Sequence, residues 1–243
     1  MLVGRLKSIV NRVDHVGSAT VVDLADQFGV AVETIRRDLR ALEEGGYIRR
    51  THGGAVSMLD NDEASLAFGS RQLRNADAKK EMARLAIPMI REGDVLMFDQ
   101  SSSCWYLAQA LPNIALTIIT NSMRTVFDMV RKPEVKVIAV GGEYFESYGA
   151  FLGAIAVNNI LEFTADICFH SCGAFQEGVG AWDSNELNAG VKRAMLRNSR
   201  SSVLLCDTSK FGRSAFALVN RAEHIDCRIS EDGVVGAVRR LEG

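Results

Sequence analysis

From about residue 76 onward the chain alternates short apolar segments with helical patterns, and this alternation constrains the fold more than any other feature. The strand candidates are DVLMFD (94–99), LTIIT (116–120), VKVIAV (135–140), ADICFH (165–170), SVLLCD (202–207) and HIDCRIS (224–230). Helical patterns lie at 77–91, 103–111, 122–131, 153–162 and 185–199, and a last helix is predicted at 231–241. Continuous apolar strands that alternate with helices are typical of a mostly parallel sheet covered on both faces. We therefore predict an α/β domain over residues 76–243.

The N-terminal part of the chain follows a different pattern, in which three helices come first. Thr20 is the expected N-cap of the second helix. Gly29 is its expected end, because glycine tolerates the left-handed conformation that often follows a helix. A third helix is predicted to begin near Ala31 or Val32 and to stop at the Gly45-Gly46 pair.

A short hairpin follows the third helix. The segment YIRRTHGGAV, residues 47–56, is typical of two strands around a glycine turn. A winged helix-turn-helix domain has two helices, a tight turn, a further helix and a wing, in that order. We therefore predict such a domain for residues 1–57. The polar, irregular segment 58–75 is the expected linker to the α/β domain.

Five arginines and one histidine lie between residues 34 and 52. Ile35, Leu39 and Leu42 mark the buried face of the third helix, so its arginines are expected to face outward. The guanidinium fork suits phosphate groups and guanine edges, and the wing is placed to reach backbone phosphates or the minor groove. The candidate DNA-binding residues are Thr20, Val32, Glu33, Thr34, Arg36, Arg37, Arg40, Arg49, Arg50 and His52.

The charge balance leaves one alternative for these arginines. With a net charge of −2 the chain has no general basic coat, so any binding of nucleic acid has to be local. The arginines could instead form an ordinary solvated helix face, balanced by Asp38, Glu43 and Glu44. The order of the helices and the wing favours DNA binding.

The segment VAVETIRRDLRALEEGGYIRRTHGGA, residues 30–55, resembles the DeoR family of bacterial transcriptional regulators. It carries the family's T-I-R-R-D-L, L-E-x-x-G and R-x-H-G-G-A motifs. In one departure, Ala31 stands where the family usually has a serine as N-cap of the recognition helix. Loss of that hydroxyl is expected to cost the helix about 1 kcal/mol.

A second polar feature follows the first strand of the α/β domain. Asp99 ends the strand, three serines follow at 101–103, and a helix begins. Free amides at a helix N-terminus, with neighbouring hydroxyls, can seat a phosphate, although a capped turn is the commoner role of such a serine run. TNS (120–122), GG (141–142), GA (173–174) and DTSKFG (207–212) also follow predicted strands. Ligands of α/β proteins collect at this carboxyl edge of the sheet.

The resemblance extends to the family's C-terminal sensor domain, which is similar to the ribose-5-phosphate isomerase fold and senses phosphorylated sugars or related metabolites. The family pattern D-x-G-T-T appears at 99–103 with Ser101 in place of the glycine, and ELNAGVK (186–192) and DTSKFG also match. The candidate effector-binding residues are Asp99, Ser101, Ser102, Ser103, Thr120, Asn121, Ser122, Gly141, Gly142, Gly173, Glu186, Lys192 and Lys210. Lys210 is the expected cation for the phosphate, unless it is a lysine that only extends along the end of a strand. Asp99 is expected to bind the sugar hydroxyls, with Asn121 and Glu186 in similar roles.

The resemblance implies a repressor of a carbohydrate operon that a phosphorylated sugar releases from operator DNA. A phosphosugar isomerase-like enzyme is the alternative, with Asp99, Glu186 and Lys210 as acid, base and anchor. A third possibility is a constitutive DNA-binding protein whose second domain only oligomerises. A homo-oligomer is expected in any case, because a single winged helix offers too small an interface for a specific regulator.

Cysteine usage and hydropathy bear on the compartment and on metals. Five cysteines without framework spacing fit a reducing cytoplasm, and neither a signal peptide nor an apolar run of about 18 residues is apparent. Cys168, His170 and Cys172 would share one face of a strand, but a single strand cannot wrap a tetrahedral ion. We therefore expect a cytoplasmic protein with no metal and no cofactor.

Overall fold

The structure is a computed structural model that describes residues 4–16, 18–51, 53–57, 68–213 and 215–240. The chain divides into two compact units, unit 1 over residues 1–75 and unit 2 over residues 76–243. Within the described ranges no helix combines the length and the apolar character needed to cross a membrane.

Unit 1 is built from four described helices and one small sheet. The helices are α1 (Arg5–Val16), α2 (Val21–Phe28), α3 (Val32–Glu44) and α4 (Phe68–Leu73), and the strands are β1 (Ser18–Thr20), β2 (Ile48–Thr51) and β3 (Gly54–Ser57). The three strands pair antiparallel in the order β1-β3-β2, so β2 and β3 form the predicted wing. Strand β1, which the sequence pattern does not reveal, attaches this wing to the start of α2.

The ends of α2 follow the predicted capping chemistry. The Thr20 hydroxyl accepts a hydrogen bond from the Asp23 amide at 3.1 Å and donates one to the Asp23 carboxylate at 2.7 Å. Gly29 ends the helix in the left-handed conformation, with φ of 62°. Ile35, Leu39 and Leu42 are fully or almost fully buried in the core of unit 1, as the helical spacing predicts.

The predicted linker differs from the structure at its C-terminal end. Residues 68–73 form helix α4 instead of an irregular segment. Phe68 is buried, and the Arg71 guanidinium lies 5.7 Å from the centre of its ring. One buried aromatic ring with a cation one turn further on stabilises a helix that the polar composition of the segment does not reveal.

Unit 2 contains five described helices and twelve strands. The helices are α5 (Ala76–Ala86), α6 (Ser102–Ala110), α7 (Met123–Met129), α8 (Gly153–Leu161) and α9 (Glu186–Arg197). The strands are β4 (Val95–Phe98), β5 (Leu116–Thr120), β6 (Val135–Ala139), β7 (Glu143–Phe145), β8 (Ala150–Leu152), β9 (Ala165–Ser171), β10 (Ala174–Gln176), β11 (Gly180–Asp183), β12 (Ser199–Leu205), β13 (Ala217–Arg221), β14 (Cys227–Ser230) and β15 (Gly233–Gly236). Short 3-10 helices lie at Ile87–Met89, Thr208–Lys210 and Ala222–His224.

Seven strands form the main sheet in the order β15-β14-β12-β9-β4-β5-β6. All its pairs are parallel except β14–β15, so the predicted α/β class and mostly parallel sheet are confirmed. The six predicted strands lie in this sheet with small shifts of their ends. Phe98 and Phe169 pack edge to face at 5.5 Å in the core under the helices.

Two parts of unit 2 differ from the sequence prediction. The tail helix predicted at 231–241 is wrong, because residues 233–236 form β15 against β14. Gly236 has φ of 89°, and a side chain there would place its Cβ 2.1 Å from the Asp226 carbonyl oxygen. Strands β7, β8, β10, β11 and β13 lie outside the main sheet, and their three to five residues are too short to give a clear apolar pattern.

Candidate DNA-binding and effector sites

Helix α3 presents its arginines to solvent. Because Ile35, Leu39 and Leu42 fill the buried side, Arg36, Arg37 and Arg40 are exposed on the opposite side. Arg49 and Arg50 are exposed on wing strand β2. We call the four residues Arg36, Arg37, Arg40 and Arg49 the arginine face.

Two of the four carboxylates of α3 are occupied away from the arginine face. Asp38 is buried and accepts a hydrogen bond from Nε of Arg5 on α1 at 2.6 Å. Glu43 pairs with Arg50, whose Nη1 lies 3.5 Å from its carboxylate and whose backbone amide donates to it at 2.9 Å.

Within the arginine face, one residue has a carboxylate partner. Arg36 contacts Glu33 at 3.2 Å between two exposed side chains. Arg37, Arg40 and Arg49 make no side-chain hydrogen bond or ion pair with any other residue in the described ranges. The charge of these three guanidinium groups is therefore available to a phosphate or a base.

The other DNA-binding candidates differ in their accessibility. The Thr20 hydroxyl is engaged in the cap of α2, while Val32 and Thr34 are partly buried at the start of α3 and Glu33 is exposed. Ala31 occupies the N-cap position of α3 with φ of −64° and ψ of 145° and supplies no side-chain hydrogen bond. His52 lies outside the described residues.

In unit 2, Asp99 holds together the carboxyl ends of two neighbouring strands. Its carboxylate is fully buried and accepts hydrogen bonds from the amides of Ser101 at 2.9 Å and Ser171 at 3.0 Å. Although burial by itself raises the pKa of Asp99, the charge of Lys192 and these hydrogen bonds lower it to about 2. In this arrangement Asp99 fixes the loops after β4 and β9, which differs from the predicted direct contact with sugar hydroxyls.

Lys192 of α9 is the buried cation that compensates Asp99. Its ammonium group lies 3.2 Å from the Asp99 carboxylate and 2.6 Å from that of Asp183, and it donates to the Ser171 carbonyl at 2.8 Å. Burial by itself lowers the pKa of Lys192, but the two carboxylates raise it well above its ordinary value. Lys192 therefore belongs to a closed ion-pair network.

Lys210 meets the same loop from β12. Its ammonium group donates to the Ser171 hydroxyl at 3.3 Å and lies 3.4 Å from the Asp207 carboxylate. Burial by itself raises the pKa of Asp207, whereas the charges of Lys210 and Lys79 lower it below its ordinary value. We call Lys192, Lys210 and their partners Asp99, Asp183 and Asp207 the lysine cluster.

The predicted hydroxyl groups have mostly local roles. Ser101 caps α6 by accepting from the Cys104 amide at 3.1 Å, and Ser122 caps α7 by accepting from the Thr125 amide at 3.2 Å. Ser102 and Ser103 begin α6 and are buried. The buried Ser103 hydroxyl has no hydrogen-bond partner among the described residues, which makes it the hydroxyl best able to accept a new one.

Asn121 joins this region through Gln100. The Asn121 amide nitrogen donates to Gln100 at 3.1 Å and to the Phe151 carbonyl at 2.9 Å, and Gln100 donates to Asn188 at 2.8 Å. The buried Asn121 side-chain oxygen finds no hydrogen-bond donor within the described ranges. This amide chain connects the ends of β4 and β5 to α9.

The remaining effector candidates lie apart from the lysine cluster or serve the backbone. Glu186 is exposed at the first turn of α9. The Thr120 hydroxyl accepts from the Ser122 amide at 3.1 Å, and the Gly173 amide donates to the Trp182 carbonyl at 2.8 Å. Gly141 and Gly142 connect β6 to β7.

Several residues of this region were not predicted. Ser171 touches both lysines, and Asp183 supplies the shortest contact of Lys192. The available signal was positional, since Ser171 directly follows the predicted strand at 165–170 and Asp183 lies three positions before the segment ELNAGVK (186–192). Gln100 and Asn188 also lie within matched segments, but at positions where the family motifs specify no residue type.

His170 is a further buried polar residue beside the cluster. It is fully buried on β9, and neither ring nitrogen has a hydrogen-bond partner among the described residues. Burial lowers its pKa to about 4, although the negative charge of Asp99 opposes the shift. The ring is therefore neutral at physiological pH.

The cysteines around His170 are buried thiols. The Sγ atoms of Cys172 and Cys206 lie 3.6 Å apart, and Cys168 lies inside β9. Burial raises the pKa of Cys168 well above its ordinary value. The described part of the chain contains no group of three histidine, cysteine or acidic residues arranged to hold a metal ion.

An arginine-bearing winged helix together with a separate α/β unit defines a DNA-binding transcription regulator with a sensor domain. Residues 5–60 match the DeoR-like helix-turn-helix domain, and residues 74–232 match the DeoR C terminal sensor domain. The chain belongs to the DeoR family, and the family resemblance of its motifs is confirmed.

Curated relatives extend over most of the chain. The L-fucose operon activator of Haemophilus influenzae is 39% identical over 85% of this chain and 83% of its own length. The glycerol-3-phosphate regulon repressor of Escherichia coli is 28% identical over 91% of this chain and 88% of its own length. A ribose 5-phosphate isomerase from Methanocaldococcus jannaschii has a TM-score of 0.42 at 16% identity, over 56% of this chain and 55% of its own, which supports no functional inference.

The names of the curated relatives bear on the alternative that this protein is a phosphosugar isomerase-like enzyme. The relatives named above are transcription regulators, and the family to which this chain belongs is one of regulators. Two of the residues that the enzyme alternative requires differ in their exposure. Asp99 is sealed in the interior, whereas Glu186 is exposed at the start of α9.

Proposed function

We propose that this protein controls an operon of carbohydrate metabolism, with residues 1–57 binding operator DNA, 58–75 connecting, and 76–243 sensing a phosphorylated sugar. The names of two relatives support the substrate class, since one regulates a fucose operon and the other a glycerol-3-phosphate regulon. We propose that the protein represses transcription of this operon and that binding of the effector relieves the repression. Activation is the alternative, and a reporter gene behind the operator distinguishes the two, because deletion of the regulator raises expression only for a repressor.

The observation that carries the DNA-binding part is the state of the arginine face. Arg37, Arg40 and Arg49 are exposed and make no side-chain hydrogen bond or ion pair to other described residues. The preceding helix and the wing give α3 the setting of a recognition helix in a major groove. We propose that the arginines of α3 contact base edges and phosphates, and that Arg49 and Arg50 contact the sugar-phosphate backbone of the DNA.

For the effector we propose a site over the N-terminus of α6 and Lys210. The unsatisfied Ser103 hydroxyl and the N-terminal end of the helix favour a phosphate, and Lys210, which lies 3.4 Å from Asp207, supplies a cationic donor. Because Asp99 is buried and occupied, we assign it to positioning the loops. Ser101 and Ser122 take a similar positioning role as caps, and Asn121 is left as the contact for a sugar hydroxyl.

The test is a titration of operator DNA with and without sugar phosphates chosen by thermal shift, since a ligand specific for the native state raises its melting temperature. Lys210→Ala is expected to weaken the response to the effector at least about tenfold while ligand-free DNA binding persists. Lys80→Ala is the matched control, because Lys80 is an exposed lysine of unit 2 that pairs with Asp77. An unphosphorylated sugar that acts as well as its phosphate, or a normal response of Lys210→Ala, contradicts the site.

We also propose that the protein is a homo-oligomer assembled through unit 2. Large apolar side chains are exposed on two of its helices, Phe127 on α7 and Ile155 on α8, each at 63%. Two DNA-binding units in one assembly bind two half-sites, which multiplies specificity. Light scattering of the full chain tests the state, and Phe127→Glu with Ile155→Glu is expected to shift it toward the monomer. A wild-type monomer at micromolar concentration contradicts this part.

A further inference from the structure

An open cavity lies at the opposite end of the main sheet from the lysine cluster. Its volume is about 540 Å³, and it is enclosed by the last turns of α9, the start of β12, strand β13 and the segment after it. Ser199, the first residue of β12, lines it, whereas Lys210 follows the carboxyl end of that strand. The cavity is therefore separate from the proposed effector site.

Arginines dominate the lining of this cavity. Five contribute to it: Arg193 and Arg197 from α9, Arg200 from β12, Arg221 from β13, and Arg239. Two of the five are neutralised, Arg200 by Asp166 at 2.8 Å and Arg239 by Asp226 at 2.7 Å.

The other three arginines have no carboxylate partner in the part of the chain that the structure describes. Arg193 donates only to the Leu218 carbonyl, at 2.6 Å, and the guanidinium groups of Arg197 and Arg221 make no hydrogen bond to another described residue. Arg193 and Arg197 are four residues apart on α9, where like charges repel. The five guanidinium groups are offset by three carboxylates, those of Asp166, Glu223 and Asp226. The cavity therefore carries an excess of about two positive charges.

The floor of the cavity is fixed by hydrogen bonds. Asp226 accepts from the Ser202 amide at 2.9 Å and from the hydroxyls of Ser201 and Ser202, each at 3.3 Å. The Ser202 hydroxyl also lies 3.1 Å from the His224 carbonyl. Because the floor carboxylate is already hydrogen-bonded and guanidinium groups surround it, the cavity favours an anion over a cation.

We propose that this cavity is a second anion site, which takes a compact metabolite carrying two phosphoryl groups. Guanidinium forks bind phosphoryl oxygens in pairs, and two such groups match both the charge excess and a cavity of this size. A concave site lined by four segments of unit 2 suits a small molecule better than the backbone of a duplex. Binding there would add a second input to the sensor domain, independent of the effector proposed above.

The test uses inorganic pyrophosphate as the probe in calorimetric titrations of the full chain, in a buffer free of other phosphates. Wild type is expected to bind one pyrophosphate per chain, more tightly than orthophosphate. Arg197→Gln with Arg221→Gln is expected to weaken the dissociation constant at least about tenfold, because both lost groups are unpaired forks. Arg197→Lys with Arg221→Lys retains the charge and is expected to fall between the two.

Two controls locate the binding. Arg131→Gln removes an exposed arginine elsewhere on unit 2 and is expected to bind as wild type does. Lys210→Ala is expected to bind pyrophosphate with an unchanged dissociation constant, whatever the outcome for the sugar-phosphate effector. Melting temperatures well above the temperature of the titration establish that all variants, Lys210→Ala included, are folded.

Four results overturn the proposal. The first is the absence of saturable binding to wild type, and the second is equal affinity in the folded glutamine variant. The third is loss of binding in Lys210→Ala, which assigns the anion to the carboxyl edge. The fourth is weaker operator binding by the glutamine variant without pyrophosphate, which makes the cavity a DNA contact.

Discussion

The arginine face of unit 1 and the lysine cluster of unit 2 use cations in opposite ways. Arg37, Arg40 and Arg49 are exposed and make no ion pair with another described residue. Lys192 and Lys210 are buried and lie against carboxylates at 2.6 to 3.4 Å. The first arrangement leaves charge to a partner from outside, whereas the second uses the charge of Lys192 within the fold.

The difference follows from the cost of burying charge. An exposed guanidinium stays hydrated and adds little to stability, so its removal affects binding alone. A buried ammonium loses its hydration and is tolerated only with compensating carboxylates, so its removal leaves those carboxylates buried and unpaired. Substitutions in the arginine face and at Lys192 should therefore separate binding from folding.

The largest effect is expected from Lys192→Met. The change leaves Asp99 and Asp183 buried without their shared cation, which costs about 3–5 kcal/mol in the free energy of unfolding. For a unit of this size the melting temperature should fall by roughly 10 °C. Calorimetry measures it, and Lys80→Met at an exposed ion pair should melt as wild type does. A Lys192→Met protein as stable as Lys80→Met would remove the structural role of the cluster.

A somewhat smaller effect is expected from pH, through His170. Its folded pKa of about 4 lies below the ordinary 6.5, so the unfolded chain binds the extra proton first as the pH falls. The contribution of the neutral ring to the free energy of unfolding is complete above pH 6.5. About 3 kcal/mol of it is lost as the pH falls from 6.5 to 4. Urea unfolding at a series of pH values measures the slope.

The control for that slope is His170→Gln, which removes the titrating ring. The variant should lose most of the pH dependence between 6.5 and 4 while retaining the acid unfolding that follows protonation of Asp99 at lower pH. An unchanged slope would show that other groups carry it.

In unit 1 the expected effect is on DNA affinity and not on melting. Arg37→Ala and Arg40→Ala should each weaken operator binding by about 1–3 kcal/mol, and at least one of them should relax base preference. Arg49→Ala should weaken all sequences alike and reduce the log–log salt slope by about 0.9. Fluorescence anisotropy at several salt concentrations measures both quantities, with Arg131→Ala as the control. A triple alanine variant of Arg36, Arg37 and Arg40 that footprints normally would remove α3 from the interface.

The smallest effect is expected from Ala31→Ser. The backbone of Ala31 already has the extended conformation of an N-cap, so a serine hydroxyl can accept from the amides of the first turn. Unit 1 should gain about 1 kcal/mol in the free energy of unfolding. Denaturation followed by the signal of unit 1 measures it, and Ala31→Val, which lacks the hydroxyl and is a poor N-cap, is the control. A serine variant no more stable than wild type would show that the hydroxyl makes no cap.

Local patterns of the sequence predicted what depends on neighbouring residues. The spacing of Ile35, Leu39 and Leu42 was enough to orient the arginines, and Gly29 was enough to end α2. The apolar strands predicted the parallel sheet, because burial on both faces leaves a continuous signal.

Contacts between distant residues were beyond such patterns. The position of Asp99 after a strand indicated a ligand site, but the burial that makes it a loop anchor depends on Lys192, 93 positions further along. The prediction of a tail helix is wrong for a related reason, since Val234 and Val235 lie in a strand whose conformation depends on pairing with β14. The cavity of five arginines is likewise assembled from four separate segments.

The ion pair between Arg5 and Asp38 has a consequence for how quickly the protein finds its target. Asp38 adjoins Arg37 in the chain, and its negative charge would weaken the potential around the arginine face. Arg5 contacts it from α1 at 2.6 Å, on the buried side of α3, and cancels that charge. The outer surface of the helix therefore keeps a positive field over distances of about a Debye length, roughly 8 Å at physiological salt. Such a field speeds diffusional encounter with the polyanionic duplex, so this internal contact affects the association rate without touching DNA.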